Sequence, residues 1–131
     1  MATYSYDHIH LRTRDPKGTA EWYRRIFGAE VLESVQSDGQ SRIDLNLNGL
    51  TIFLARVAGE ANIPSAPAEP YVGLDHFGLR VDNLDAAYAQ LKERGATFTT
   101  EPRTIRPGVK IAFIQCPDNV RIELLERSAG G

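Results

Sequence analysis

The sequence has a single cysteine, no long apolar run and no cluster of like charges. Because Cys116 is the only cysteine among the 131 residues, an intramolecular disulfide is excluded. No apolar run approaches the ~18 residues that a membrane-spanning helix needs. The N-terminal stretch MATYSYDHIH also lacks the apolar segment of a signal peptide. We therefore expect a cytoplasmic protein with no part in a membrane.

The charges are balanced and scattered along the chain. Fifteen basic and 17 acidic residues give a formal net charge of −2, and no basic stretch indicates a nucleic-acid interface. The length, with 42% hydrophobic residues, fits one domain over residues 1–131. The expected partners are a small molecule and a second copy of the chain.

Residues 4–57 carry the pattern of one βαβββ unit. The stretch YDHIHLRT alternates apolar and polar residues, which is typical of a strand with one buried face. The pair Asp15-Pro16 then begins a helix that ends at Gly28. Two of the strands that follow are joined by Asn48-Gly49, a strong hairpin signal. The four strands are predicted over residues 6–13, 30–35, 42–47 and 50–57.

The same order of elements is predicted for residues 74–127, after an Ala-, Pro- and Gly-rich linker over residues 58–73. A strand is followed by a helix that Asp82 or Asn83 caps and that runs to Arg94, and then by three strands. The four strands of this half are predicted over residues 74–81, 97–100, 110–115 and 120–125.

Matching residues support an internal repeat. DHIHLR from Asp7 matches DHFGLR from Asp75, an offset of 76 − 8 = 68 at the histidines, and GLTIFL from Gly49 matches NVRIEL from Asn119, an offset of 119 − 49 = 70. Near-equal offsets in elements of the same type indicate a true repeat. We predict an α+β fold in which two βαβββ repeats form a curved mixed sheet.

Three polar residues are predicted to share the face of the sheet that the helices leave open. His8 and His76 are repeat partners whose apolar neighbours must face the helices, and Glu123 lies between Ile122 and Leu124. Two imidazoles and a carboxylate suit Zn, Mn, Fe, Co or Ni. Each residue taken alone is also what a solvated sheet face would carry, but their relation through the repeat favours a metal site.

Three motifs, YDHIHLRTRDP, LDHFGLRVDNLDAAYAQLKERGA and CPDNVRIELLE, resemble the vicinal oxygen chelate superfamily. This superfamily includes glyoxalase I, methylmalonyl-CoA epimerase, extradiol dioxygenases, fosfomycin thiol transferases and bleomycin-binding proteins. The likeness covers nearly the whole chain and is strongest to bacterial glyoxalase I. It implies the glyoxalase/bleomycin resistance fold, a divalent metal (Ni, Co, Zn, Mn or Fe(II)), a small-molecule substrate and a homodimer, sometimes with sites shared across subunits.

The resemblance places metal ligands at four positions, and the chain departs from the pattern at one of them. These positions are His8, Phe53, His76 and Glu123. Phe53 is the repeat partner of Glu123 (123 − 53 = 70) and cannot bind a metal. The site is therefore predicted to have three ligands, an open coordination position and an aromatic wall that contacts the substrate.

The resemblance leaves several activities open. We favour a lyase or isomerase of glyoxalase type because of the C-terminal half. An Fe(II) dioxygenase would also use two histidines and a glutamate, but it usually has tyrosine where this chain has Phe113. A fosfomycin-type thiol transferase needs a potassium loop that RTIRPGV does not resemble. A drug-sequestering protein of bleomycin-resistance type would have no need of the three ligands.

Further residues are assigned to the same face. Glu123 and His10 are the predicted catalytic groups; His10 has the alternative roles of a fourth ligand or a polar residue on a wet face. Arg12 and Arg80 are repeat partners four positions beyond each ligand histidine. They are predicted to bind a substrate carboxylate, with ordinary surface ion pairs as the alternative.

Overall fold

The computed structural model describes residues 2–57 and 62–128, and it divides the chain into two compact units, Met1–Ile63 and Pro64–Gly131. The division falls inside the predicted linker. Residues 62–73 of that linker contain no helix or strand, whereas residues 58–61 lie outside the described residues. Neither helix of the described chain has the length and apolarity that crossing a membrane requires.

The first unit is a four-stranded mixed sheet with one helix. Its sheet order is β1-β4-β3-β2, with β1 parallel to β4 and the other neighbours antiparallel. The helix begins where expected, because Asp15 Oδ1 accepts a hydrogen bond from Gly18 N. It ends at Gly28, whose φ of 72° is left-handed. The elements are β1 (His8–Thr13), α1 (Pro16–Phe27), β2 (Glu30–Val35), β3 (Ser41–Leu47) and β4 (Leu50–Arg56).

The second unit repeats this topology with sheet order β5-β8-β7-β6. Of the two predicted helix caps the structure uses Asn83, whose Oδ1 accepts a hydrogen bond from Ala86 N. The prediction of two βαβββ repeats is confirmed, and each repeat forms its own four-stranded sheet. The elements are β5 (Phe77–Arg80), α2 (Leu84–Glu93), β6 (Thr97–Arg106), β7 (Val109–Gln115) and β8 (Arg121–Arg127), with a 3-10 turn at Pro117–Asn119.

The period of two along each strand separates a helix-covered face from an open face. Ile52 and Leu54 are buried on β4, and Ile122 and Leu124 are buried on β8. The alternate residues Phe53 and Glu123 therefore point to the opposite face of their sheets. These apolar side chains form the core of each unit together with helix residues, among them Tyr23, Ile26, Leu84 and Leu91.

The longest departure from the predicted elements is β6, which covers Thr97–Arg106 instead of residues 97–100. Pro102 lies within it, although proline cannot donate a ladder hydrogen bond. The strand tolerates Pro102 because β6 is an edge strand and its register with β7 shifts between Thr100 and Arg103. Two other strands are shorter than predicted. β1 starts at His8 and β5 starts at Phe77, later than the predicted residues 6 and 74.

Candidate functional site

His76 and Glu123 form the centre of a polar cluster in the second unit. His76 immediately precedes β5 and Glu123 lies on β8, which pairs with β5 in parallel. The Nε2 atom of His76 is 3.4 Å from Glu123 Oε1, and both side chains are largely shielded from solvent, with 29% and 17% of their surface exposed. This arrangement places a nitrogen donor and a carboxylate oxygen side by side.

Asp75 determines which nitrogen of His76 carries the proton. Its Oδ2 atom is 2.6 Å from His76 Nδ1. The pKa of the Asp75 carboxyl is lowered, first by this hydrogen bond and then by the positive charge of Arg121. An ionised carboxylate can only accept, so Nδ1 is the donor to Asp75 and Nε2 is the ring nitrogen that faces Glu123. Metal-binding histidines are oriented by a carboxylate in the same way, so the donor set fits a divalent metal.

The corresponding part of the first unit is built differently. His8 lies inside β1, and its Nδ1 atom is 3.3 Å from Asp7 Oδ2, the repeat partner of the Asp75 contact. Phe53 occupies the position of Glu123, and its ring centroid is 4.2 Å from that of His8. The guanidinium of Arg42 lies over the same ring at 4.7 Å. The Phe53 ring therefore lies between an imidazole and a cation, and its role as a wall of a metal site remains a prediction.

A cavity of about 840 Å³ opens in the first unit and is bordered by His8, His10 and Phe53. Its wall also carries four permanent cations: Arg14, Lys17, Arg42 and Arg56. Asp15 is the one carboxylate among the described lining residues, and it is engaged as the cap of α1. The cavity wall therefore carries more positive than negative charge and suits an anionic ligand.

Three of these cations have no acidic partner in the part of the chain that the structure describes. Arg42 pairs with Asp44 at 2.8 Å, whereas Arg14, Lys17 and Arg56 form no ion pair with any described residue. They come together because Thr13, the last residue of β1, is in register with Arg56 on the parallel strand β4. Sequence reasoning missed these three cations.

The two arginines that the sequence assigned to substrate binding are placed elsewhere. Arg12 is exposed on the face of β1 that carries His8 and His10, but it is not a lining residue of this cavity. Arg80 Nη2 donates a hydrogen bond to the carbonyl oxygen of Arg127, 3.2 Å away. Their role in holding a substrate carboxylate remains a prediction.

The three predicted ligands are divided between the units: His8 belongs to the first, and His76 and Glu123 belong to the second. Within residues 2–57 and 62–128, no three His, Cys, Asp or Glu side chains lie close enough together to hold a metal ion. Neither unit alone therefore assembles a complete ligand set, and the metal site stays a prediction.

A family model described as the Glyoxalase/Bleomycin resistance protein/Dioxygenase superfamily matches residues 5–124 of the chain. Lactoylglutathione lyase from Escherichia coli O157:H7 is 24% identical over 127 residues, which cover 95% of this chain and 93% of that relative. Two other curated relatives are longer, and the chain spans 16% and 49% of their length.

Solved structures share the fold. The glyoxylase/bleomycin resistance protein/dioxygenase domain from Frankia sp. EAN1pec has a TM-score of 0.75 and 26% identity, covering 97% of this chain and 100% of that one. The fosfomycin resistance protein FosX from Listeria monocytogenes, a mutant solved with Mn(II) and 1S,2S-dihydroxypropylphosphonic acid, has a TM-score of 0.72 and 20% identity, covering 97% and 93%. The second likeness concerns the fold alone.

Proposed function

Because the chain belongs to the Glyoxalase/Bleomycin resistance protein/Dioxygenase superfamily, we propose that it is a divalent-metal-dependent lyase or isomerase of glyoxalase type. Its substrate is a small molecule that carries oxygen donors. The observation that carries the proposal is the His76–Glu123 pair, in which Asp75 holds Nδ1 and leaves Nε2 facing a carboxylate. The lactoylglutathione lyase name of the Escherichia coli relative supports this branch of the superfamily.

The metal ligands in this proposal are His76 and Glu123, completed by His8 from the same chain or from a second copy. Nickel, cobalt, zinc, manganese and Fe(II) all suit imidazole and carboxylate donors, and the FosX structure contains Mn(II). A divalent ion held there would supply Lewis-acid stabilisation of negative charge on a substrate oxygen, an effect of several kcal/mol. The homodimer and the cytoplasmic location remain predictions.

Two side chains of this protein are proposed to move protons. Glu123 is shielded beside His76, and its carboxylate can accept a proton from substrate carbon or return one. His10 lies two residues along β1 from His8, is exposed and borders the cavity with its ring edge-on to Phe53, at a centroid distance of 6.4 Å. Imidazole exchanges protons readily near neutral pH, so His10 is proposed as the second proton carrier.

The activity is tested with a substrate panel. Apoprotein is reconstituted separately with Ni, Co, Mn, Zn or Fe(II) and assayed with a glutathione hemithioacetal, an enolisable thioester and a catechol. Isomerisation of the hemithioacetal or proton exchange at the thioester is expected with at least one metal. Ring cleavage of the catechol with Fe(II) would overturn the lyase/isomerase proposal. Tight binding of bleomycin without metal or turnover would point to sequestration.

The unpaired cations of the cavity predict an anionic group on the substrate. Replacing Arg14, Lys17 or Arg56 with glutamine should raise KM for the hemithioacetal about threefold each, since exposed ion pairs contribute ~0.2–1 kcal/mol. The affinity for inorganic phosphate as a competitor should fall in parallel, and more so at low salt. Arg25→Gln is the matched control, because Arg25 is exposed on α1 and does not line the cavity. Equal KM values in all four variants would contradict the prediction.

A further inference from the structure

His76 and His8 occupy equivalent repeat positions, but the strand fixes only one of them. His8 is the first residue of β1, where the register pairs it with Thr51. In the second unit the strand pairing begins one residue after the histidine, at Phe77 with Ile122. Asp75 and His76 therefore lie on the segment that enters β5, and the ladder of sheet hydrogen bonds does not hold them.

Arg121 on β8 contacts this segment. Its Nη1 atom is 2.5 Å from Asp75 Oδ2, the same oxygen that accepts the hydrogen bond from His76. Its Nε atom is 3.7 Å from Glu69 Oε2. Only 13% of the Arg121 side chain is exposed, compared with 41% of Asp75, so the guanidinium is shielded while its carboxylate partner stays partly open to solvent.

Phe113 joins the arginine to the histidine. The Arg121 guanidinium lies over the Phe113 ring at 4.3 Å, and the His76 ring meets the same ring edge-on at 4.9 Å with an interplanar angle of 90°. Arg121 and His76 are thus fixed against one aromatic ring and against one carboxylate oxygen. Cation–π and edge-on aromatic contacts of this kind restrict both groups.

The first unit also places an arginine over an aromatic ring beside its histidine, Arg42 over Phe53, but among its described residues no arginine pairs with Asp7. Counting back by 70 residues, the repeat partner of Arg121 is Thr51. Asp7 is 85% exposed, and its contact with His8 is 3.3 Å, compared with 2.6 Å for Asp75 and His76. An arginine pairs with the aspartate in the half where the histidine precedes the strand, and no described arginine does so in the half where the histidine belongs to the strand.

We propose that Arg121 is a positioning residue that fixes His76 through Asp75, so that the Nε2 atom faces Glu123 before any metal arrives. The role rests on the proposed function insofar as His76 and Glu123 bind metal. Arginine suits the task better than lysine, because its planar guanidinium stacks on Phe113 while it donates to Asp75. The strand thus supplies the ligand Glu123 and, two residues earlier, the group that orients the ligand histidine.

The test compares Arg121→Gln, Asp75→Asn and the double variant, with Arg127→Gln as the control. Arg127 is an exposed arginine on the same strand. The Arg121→Gln variant should bind Co²⁺ or Ni²⁺ about tenfold more weakly by calorimetry, as is typical when the partner of a metal-binding histidine is lost. Because both residues act on one imidazole, the double variant should be no weaker than Asp75→Asn alone. Arg121→Lys should recover part of the affinity and provides a second test if the glutamine variant does not fold.

A second readout needs no metal. The ¹⁵N shifts of the His76 ring in metal-free protein at alkaline pH report which nitrogen carries the proton. Arg121→Gln should reduce the Nδ1–H form, and Arg127→Gln should not. Wild-type shifts in Arg121→Gln, or metal-affinity losses that add in the double variant, would overturn the positioning role. If the wild-type protein binds no metal, the proposed function fails, and the shifts still decide whether Arg121 positions His76.

Discussion

Replacing His76 with alanine is expected to weaken metal binding by at least ~100-fold, since losing even the partner of a ligand costs 10- to 100-fold. The variant removes the nitrogen that lies 3.4 Å from Glu123. The fold should persist, because the imidazole precedes β5 and is not part of the core of the second unit. Metal content by native mass spectrometry, calorimetric titration and far-UV circular dichroism measure the two effects separately.

Three further variants make this result specific. Glu123→Gln and His8→Ala should also lose metal, because both residues complete the proposed ligand set. Glu101→Gln is the carboxylate control, since Glu101 is exposed on β6 and contacts only the hydroxyl of Tyr88 among the described interactions. Full stoichiometric metal retention in His76→Ala would remove His76 from the site.

His10→Ala separates metal binding from proton transfer. If His10 carries protons, the variant should keep its metal and lose turnover by ~10²-fold or more, the usual contribution of a general acid or base. A loss of metal would instead assign His10 as a fourth ligand. Wild-type turnover would leave it as a polar residue on a wet face.

The repeat explains why much of the fold, and the sheet face of several candidate site residues, could be predicted from the sequence. Asp7-His8 and Asp75-His76 are the same dipeptide at the start of equivalent strands, and period-two alternation determines which face each side chain occupies. The repeat offset of 70 residues makes Phe53 the equivalent of Glu123 in the first half. The structure puts the Phe53 ring beside His8. Local patterns were sufficient for residues that lie within a strand, as His8, Phe53 and Glu123 do.

Contacts between strands could not be predicted in this way. Arg121 and Asp75 are 46 residues apart, and no periodicity links them. The cations Arg14 and Arg56 meet only because β1 pairs in parallel with β4, and the sequence pattern does not give the order of strands within a sheet. The sequence held one signal for these cations. Arg14 directly follows a strand and Arg56 lies at the end of another, and binding residues are common at such positions.

Pro102 shows a different limit. Proline normally ends a predicted strand, and residues 97–100 were accordingly predicted as a short one. Because β6 is an edge strand and its register with β7 shifts, Pro102 does not have to donate a ladder hydrogen bond. The observed pairing with β7 shows that the strand continues past Pro102 to Arg106.

Phe53→Glu is expected to strengthen metal binding by roughly tenfold or more, equivalent to ~1.4 kcal/mol or above. The substitution places a carboxylate beside His8 at the position that the repeat pairs with Glu123. Because a divalent ion neutralises the new charge, the cost of removing that charge from water is offset once metal is bound. Calorimetric metal titration measures the gain, and thermal melts of the metal-free protein measure the cost.

The neighbours of Phe53 determine that cost. Asp44 is directly opposite Phe53 in the β3–β4 register, so the metal-free variant contains two adjacent carboxylates that repel each other. The Oδ2 atom of Asp44 accepts a hydrogen bond from Arg42, whereas the buried Oδ1 atom of Asp44 has no hydrogen-bond partner among the described residues. Arg42 lies over the ring that is lost, and it can reach the new carboxylate only by sharing its charge with Asp44. The metal-free protein should therefore melt at a lower temperature, and metal should restore the loss.

Phe53→Gln is the matched control, because glutamine has nearly the shape of glutamate without its charge. It should lose the ring contacts with His8 and Arg42 equally, but it should not reproduce the full rise in affinity.

The activity of the Phe53→Glu variant then identifies the branch of the superfamily. If hemithioacetal isomerisation rises with metal affinity, Phe53 replaces a ligand of an ancestral glyoxalase; if native turnover falls while the metal binds more tightly, Phe53 borders an open coordination position that the substrate needs. Lower stability with unchanged metal affinity would show that Phe53 only packs against His8, because a carboxylate far from the ion destabilises the fold by a few kcal/mol and gains nothing from the metal.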